Sequence, residues 1–254
     1  MSNNELNKYA SALFGILLLL STATVVQQSA KAQDAADPKA AIQQRIAEIK
    51  ENQAKNKENL ATYTWQEQDT ISLKGEVKKQ ESFQVRMGAD GKPAKTPLNA
   101  APAAAPPSQA DSGRRGGKMK EKIVENKKEE FKEYADKIVA LVHSYAPPDP
   151  AKLQQAHQQG NIKLAPGAAP TEVQLQITNY LKPNDSMTIT LDKEAKAIKS
   201  VQIASYMDSP SDAVKMTVQF ATLPDGVNHV SGMTLEGVSK QLKVDVQNSG
   251  YTKI

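Results

Sequence analysis

Between Thr171 and Ile254, apolar and polar residues alternate with a period of two in four runs: Met187-Ile189-Leu191, Val201-Ile203, Val214-Met216-Val218-Phe220 and Leu242-Val244-Val246. The interleaved positions are Thr188, Thr190, Gln202, Lys215, Thr217, Gln219, Lys243, Asp245 and Gln247. Side chains of a strand point alternately to its two faces, so this pattern predicts a sheet with one apolar and one hydrated side. Asp192-Lys193-Glu194, Asp208-Ser209-Pro210, Pro224-Asp225-Gly226 and Asn248-Ser249-Gly250 separate or end the runs with turn residues, which predicts short antiparallel connections. His229 falls in such a turn on this reading.

The apolar face needs a cover, and the earlier chain offers helices. Asp37-Pro38 places a capping residue before a proline at the first helical position, and Ile42, Ile46 and Ile49 recur at helical spacing, giving a helix to about Asn56. A second and broader stripe comprises Phe131, Tyr134, Ala135, Ile138, Val139, Leu141, Val142 and Tyr145, and Ala146-Pro147-Pro148 stops it. Asp149-Pro150 then starts a short helix that Gly160 ends. Tyr63-Thr64-Trp65, Ile71-Ser72-Leu73 and Phe83 to Met87 read as strand, with Lys74-Gly75 a bend and Asp90-Gly91-Lys92-Pro93 a terminating turn. The charge of this hairpin predicts a place at one end of the sheet. Ile162 to Leu164 and Val173-Leu175-Ile177 lead into the final sheet, and the sole tryptophan, Trp65, reads as core. The predicted fold is α+β: a curved antiparallel sheet, an incomplete barrel, with helices over its apolar face.

Composition sets the limits of that domain. Lys8, the apolar run Ala12 to Leu20 and the small-x-small sequence Ala30-Lys31-Ala32 make residues 1–32 an export signal cleaved after Ala32. The run is shorter than the roughly 20 residues that span a bilayer, so no transmembrane segment is expected after cleavage. The absence of cysteine excludes disulfides, thiolate metal sites and an acyl anchor on an N-terminal cysteine. Residues 33–254 then read as one periplasmic or secreted α+β domain, interrupted at 99–118 by an Ala/Pro/Gly-rich segment too poor in apolar surface to order itself. Net charge is +4 for the whole chain, too slight to imply nucleic acid. Arg114 to Lys128 departs from that balance with seven basic and two acidic residues, and Lys118, Lys120 and Lys122 are its candidates for contact with an anionic headgroup.

Candidate chemistry is sparse. The chain has no G-x-S-x-G elbow, phosphate loop, dinucleotide fingerprint or H-E-x-x-H motif, and its three histidines lack metal-ligand spacing. No catalytic residue, metal or cofactor is expected. Asp208, Asp212 and Asp225 read as turn residues that bond their own backbone. Met187, Met207, Met216 and Met233 put four of seven methionines in the sheet, where their adaptable side chains suit irregular apolar partners.

Two resemblances extend this reading. Met187-Thr188-Ile189-Thr190-Leu191-Asp192 followed by Ile198-Lys199-Ser200-Val201, within the order helix, strands, helical cover and one-sided meander, resembles the periplasmic lipoprotein-carrier family. That resemblance implies an incomplete barrel whose apolar concave face holds acyl chains. Asn179-Tyr180, Lys182-Pro183, Asp185-Ser186-Met187-Thr188, Tyr206-Met207-Asp208, Asp212-Ala213-Val214 and Phe220 to Gly226 are similar to a group of uncharacterised exported bacterial proteins, which carries no activity with it. The expected function is a non-enzymatic binding module for a lipid, an acylated protein or another apolar partner, with Met187, Val201, Ile203, Met216, Val218 and Phe220 as its lining. The alternative is a structural or protein-interaction module of the cell envelope with a sealed core.

Overall fold

The computed structural model describes residues 38–89, 91–98, 131, 133–138, 140–142, 144–145 and 150–254. The export signal, the 99–118 segment and the basic stretch with Lys118, Lys120 and Lys122 lie outside these residues. The described elements are α1 (Pro38–Leu60), β1 (Tyr63–Leu73), β2 (Glu76–Met87), β3 (Pro93–Pro97), a helical segment at 131–145 here called α2, α3 (Pro150–Gln158), β4 (Ile162–Pro166), β5 (Glu172–Thr178), β6 (Ser186–Asp192), β7 (Ala197–Tyr206), β8 (Ala213–Thr222), β9 (Asn228–Gly237) and β10 (Leu242–Lys253).

The strands form one antiparallel sheet in the order β3-β2-β1-β10-β9-β8-β7-β6-β5-β4. The order is linear, with β3 and β4 at its edges, so the sheet is open. β4 to β10 follow the chain as a meander, and β1 then joins the far side of β10, with Tyr63 opposite Lys253 and Leu73 opposite Leu242. The charged hairpin therefore sits at one end, as its composition predicts.

Register turns the alternation of single strands into continuous rows. One row runs Ile162, Ile177, Met187, Ile203, Met216, Leu235, Val244 and Ile71. The next runs Leu164, Leu175, Ile189, Val201, Val218, Met233 and Val246. Lys215, Gln219, Lys243, Gln247 and Gln202 face solvent on the other side. Fully burying one such aliphatic side chain contributes about 1.5–3 kcal/mol, so the rows supply the main driving force for folding.

Helical residues join the same core. Ile42 of α1, Tyr134, Ile138, Val142 and Tyr145 of α2, and Leu153 and Ala156 of α3 cluster with the strand residues. α2 meets β9 at Gly237, where an added Cβ would lie 2.7 Å from both Ile138 Cδ1 and Tyr134 Oη, so any larger residue there would force those side-chain ends to shift. α1 passes β4, β7 and β9. Its C-terminal end is tied to β9 by Asn56, whose Oδ1 accepts the Asn228 N–H at 2.6 Å and whose Nδ2 donates to the Asn228 carbonyl. Leu60, Tyr63 and Val227 seal that end as a small separate cluster. The side chains of Ile46 and Ile49 lie outside the described set.

Four details differ from the sequence expectations. β1 is one strand of eleven residues rather than two short runs. The turn expected after β2 is present, with the Gly91 N–H donating to the Gly88 carbonyl at 2.9 Å, but a further strand, β3, follows it at Pro93. His229 is a buried residue of β9, not a turn residue; a register shift between Gln219 and Phe220 leaves Ser231 as an extra residue and resets the alternation that would mark the strand. Asn248-Ser249-Gly250 is a bulge within β10 rather than its end: Gly250 has φ +64° and the strand continues to Lys253. The turn between β9 and β10 lies at 238–241 instead.

Candidate functional site

The apolar lining expected from sequence lies on one side of the sheet. Met187, Ile203, Met216 and Val218 are 1%, 6%, 2% and 0% exposed. Val201 and Phe220 are partly buried and pack against the same cluster. Register explains why they meet: Met187, Ile203 and Met216 are opposite one another on β6, β7 and β8, and Val201 is opposite Val218. These residues can supply van der Waals surface and no proton chemistry.

Around them, turn carboxylates lock loops to tyrosines. Asp185, 1% exposed, accepts the N–H groups of Tyr180, Leu181 and Lys182 at 2.6, 2.8 and 2.8 Å and the Tyr145 hydroxyl at 2.5 Å. Burial, then this hydrogen bond, push the Tyr145 hydroxyl above its ordinary range. Asp212 accepts the Tyr134 hydroxyl at 3.0 Å, and Asp225 the Tyr63 hydroxyl at 2.5 Å. Both aspartates thus reach beyond their own turns and anchor α2 and β1.

The same face changes character at β1. Across β10, Val244 is opposite Ile71, Val246 opposite Asp69 and Asn248 opposite Glu67. On β2, Lys79 stands opposite Ile71, Glu81 opposite Asp69 and Phe83 opposite Glu67. The apolar rows therefore run into charge. Glu67 and Asp69 are 1% and 3% exposed, alternating inward with Trp65 and Ile71. Lys95 of β3 ion-pairs with the Glu67 carboxylate, lies 3.4 Å from Asp69 Oδ2 and stands 5.3 Å from the centre of the Phe83 ring. Lys79 and Glu81 form a second ion pair at 2.9 Å.

Trp65 stacks on Tyr251 at 5.4 Å between ring centres, and Tyr251 meets the His229 ring at 4.0 Å. This aromatic wall bounds the charged end, and the bulge at Gly250 turns Tyr251 inward to build it. Burial here works against ionisation of the carboxyls and Lys95 works for it. Burial, opposed by Lys95 and aided by Asp69, pushes Glu67 up to about 8, and burial also raises Asp69. Burial lowers His229, leaving it neutral near pH 7.

Sequence reading finds the apolar rows and passes over Glu67, Asp69, Lys95 and Asn248. The signal was present: from Trp65 to Ile71 the period of two continues unbroken, and Glu67 and Asp69 occupy the inward phase. Charge in a hairpin reads as solvent exposure, and the phase shows the reverse. Among the described residues, no group of three or more His, Cys, Asp or Glu is placed to hold a metal. No helix among them is long and apolar enough to cross a membrane.

The sequence matches no family model and no curated protein. Among solved structures, the chain is similar to a DUF1329 family protein from Desulfovibrio piger, with 12% identity and a TM-score of 0.38 over 86% of this chain and 94% of that one.

Proposed function

We propose that this protein is an exported, non-enzymatic binding module for an amphiphilic partner, a lipid or an acylated protein. On this reading the open ten-stranded sheet acts as an incomplete barrel beneath the helices, in the manner of the periplasmic lipoprotein carriers that the order of elements resembles. The observation that carries this reading is the change along one sheet face from apolar rows to buried Glu67, Asp69 and Lys95. A core selected for stability alone gains little from buried ions, since desolvating each costs several kcal/mol and an apolar replacement is often as stable. Buried polar groups beside an apolar surface are what a site for a chain with a polar end requires.

The test is native mass spectrometry of residues 33–254 purified gently from the periplasm of an expressing host. Co-purified amphiphile is expected, with occupancy reduced by Val201→Phe, which adds bulk at a half-buried row position. A clean apo mass that takes up no added lipid would overturn the binding reading. A specific observation favours the second reading in that case: the near-complete burial of Met187, Ile203, Met216 and Val218 within the chain suits a sealed core and a structural or protein-interaction role in the envelope.

A further inference from the structure

The open sheet has two edges, β3 and β4, and their backbones differ. In an antiparallel ladder alternate residues turn their N–H and C=O groups toward the neighbouring strand, and the residues between turn theirs away. Beside β3 the Leu98 N–H donates to the Ser82 carbonyl at 2.8 Å and the Gly88 N–H to the Lys92 carbonyl at 2.7 Å. The even-numbered residues therefore bond β2, and Pro93, Lys95 and Pro97 face outward. Two of these three have no N–H, and the third turns a charged side chain into an ion pair with Glu67. An added strand finds little to bond there.

β4 lacks such protection. The Thr178 N–H donates to the Asn161 carbonyl at 2.9 Å and the Gly167 N–H to the Glu172 carbonyl at 3.3 Å, so the odd-numbered residues bond β5. Ile162, Leu164 and Pro166 point their backbone groups outward. This edge offers two donors, the N–H groups of Ile162 and Leu164, and three carbonyl acceptors, and among the described residues nothing bonds them. The two apolar rows end here as well, with Ile162 buried and Leu164 half-buried. Next to the edge lies an open groove of about 550 Å³, lined by Leu164, Pro166, Ala168, Ala169, Val173 and Lys193 among others.

We propose that β4 is a docking edge for the β4 of a second copy of this chain, the two strands pairing antiparallel about Leu164. In that register Leu164 faces the partner's Leu164 and exchanges two hydrogen bonds with it, and each Ile162 N–H meets the partner's Pro166 carbonyl. All four outward donors of the pair are used, and the N–H that proline lacks falls at the ends of the ladder. Charge selects this register. Lys163, the one charged residue of the strand, faces the partner's Ala165. Pairing centred one residue earlier also uses four donors but sets the two lysines directly opposite, which is unfavourable, and pairing centred one residue later loses the Ile162 bonds. The apolar rows continue through the join, Leu164 against the partner's Leu164 and Ile162 against the partner's Pro166. The small residues of the β4–β5 loop leave the groove open to the partner's chain where it enters its own strand. A strip of five residues is about 17 Å long, and two such edges bury less than the roughly 1,200 Å² of a permanent interface, so the pairing is reversible and depends on concentration. It requires no ligand.

Sedimentation equilibrium of residues 33–254, from micromolar to millimolar concentration, tests this pairing. The mass is expected to climb with concentration from that of the monomer toward twice that value. A165E sets a carboxylate opposite the partner's Lys163 at both ends of the ladder and is expected to raise the association constant about 2- to 30-fold; A165K is expected to lower it as far. Both changes lie on the hydrated face of an edge strand, away from the core. K163E/A165K exchanges the two charges and is expected to recover the constant of A165E. L164P removes the central donors while leaving the bonds to β5 in place, and is expected to abolish association. Should L164P fail to fold, the charge series decides alone. A monomer mass at every concentration, for the wild type and A165E alike, would overturn the proposal and leave this edge to a strand of another protein. A dimer whose constant is the same in A165E and A165K would overturn it too, because its interface then lies elsewhere.

Discussion

The two ends of the inward sheet face use the same geometry for opposite chemistry. From β5 to β9 the two continuous rows consist of Leu, Ile, Met and Val facing one another, and beyond them Val214 faces Gly237 and Phe220 faces Val230. From β1 to β3 the same inward phase carries Trp65, Glu67, Asp69, Phe83, Val85 and Lys95, and burial is as deep. The first end is held by apolar burial, which is non-directional and tolerant. The second depends on pairing and protonation, which fail abruptly when one member is lost. Tolerant and exacting packing are thus separated along one surface.

Exchanging the chemistries tests that contrast most severely. Val218→Asp places an unpaired carboxylate among apolar neighbours and is expected to cost more than about 4 kcal/mol, read by urea unfolding. The charged end predicts its own pH dependence. Glu67 titrates near 8 in the folded chain against an ordinary 4.5, so between those values the unfolded chain sheds a proton that the folded chain retains. Stability is therefore highest below pH 4.5 as far as this group is concerned, falls as pH rises to about 8, and is level above; Asp69 acts in the same direction. At about 1.4 kcal/mol per unit the loss amounts to a few kcal/mol, and E67Q is expected to flatten the change in thermal midpoint between pH 5.5 and 8.5.

Making the second end resemble the first has the opposite sign. The triple variant E67M/D69L/K95M is expected to gain about 1–4 kcal/mol, measured by urea denaturation. The smallest effect concerns the apolar end alone. Gly237→Ala pushes Ile138 and Tyr134 of α2 away from β9 and is expected to cost about 1–3 kcal/mol, with the shift visible in amide exchange of both elements.

These two ends were unequally legible. Alternation from Met187 to Val246 predicts the apolar rows because water and hydrocarbon sort residues by phase, and Met187, Ile203, Met216 and Val218 lie inside as that phase requires. The helical stripe from Phe131 to Tyr145 is legible for the same reason, with Tyr134, Ile138, Val142 and Tyr145 all buried. β9 was hidden because an extra residue at Ser231 resets its alternation midway, and β3 because its short run is bounded by prolines. Glu67 and Asp69 were hidden by their own chemistry: a carboxylate reads as hydrated unless a partner is known, and Lys95 is supplied from 26 residues beyond Asp69. Long-range pairing leaves no local trace.

The joining of β1 to β10 has a consequence for how the chain reaches this form. Tyr63 finds its place only beside Lys253, so the charged hairpin has no neighbouring strand until β10 is available, some 190 residues later in the chain. Contacts of such large sequence separation slow the search for the native state. A nascent chain lacking β10 exposes the inner edge of β1 and cannot bring Asn248 to Glu67. Loss of β10 would therefore leave a half-assembled sheet with an open, adhesive edge, and synthesis of β10 is the event that closes it.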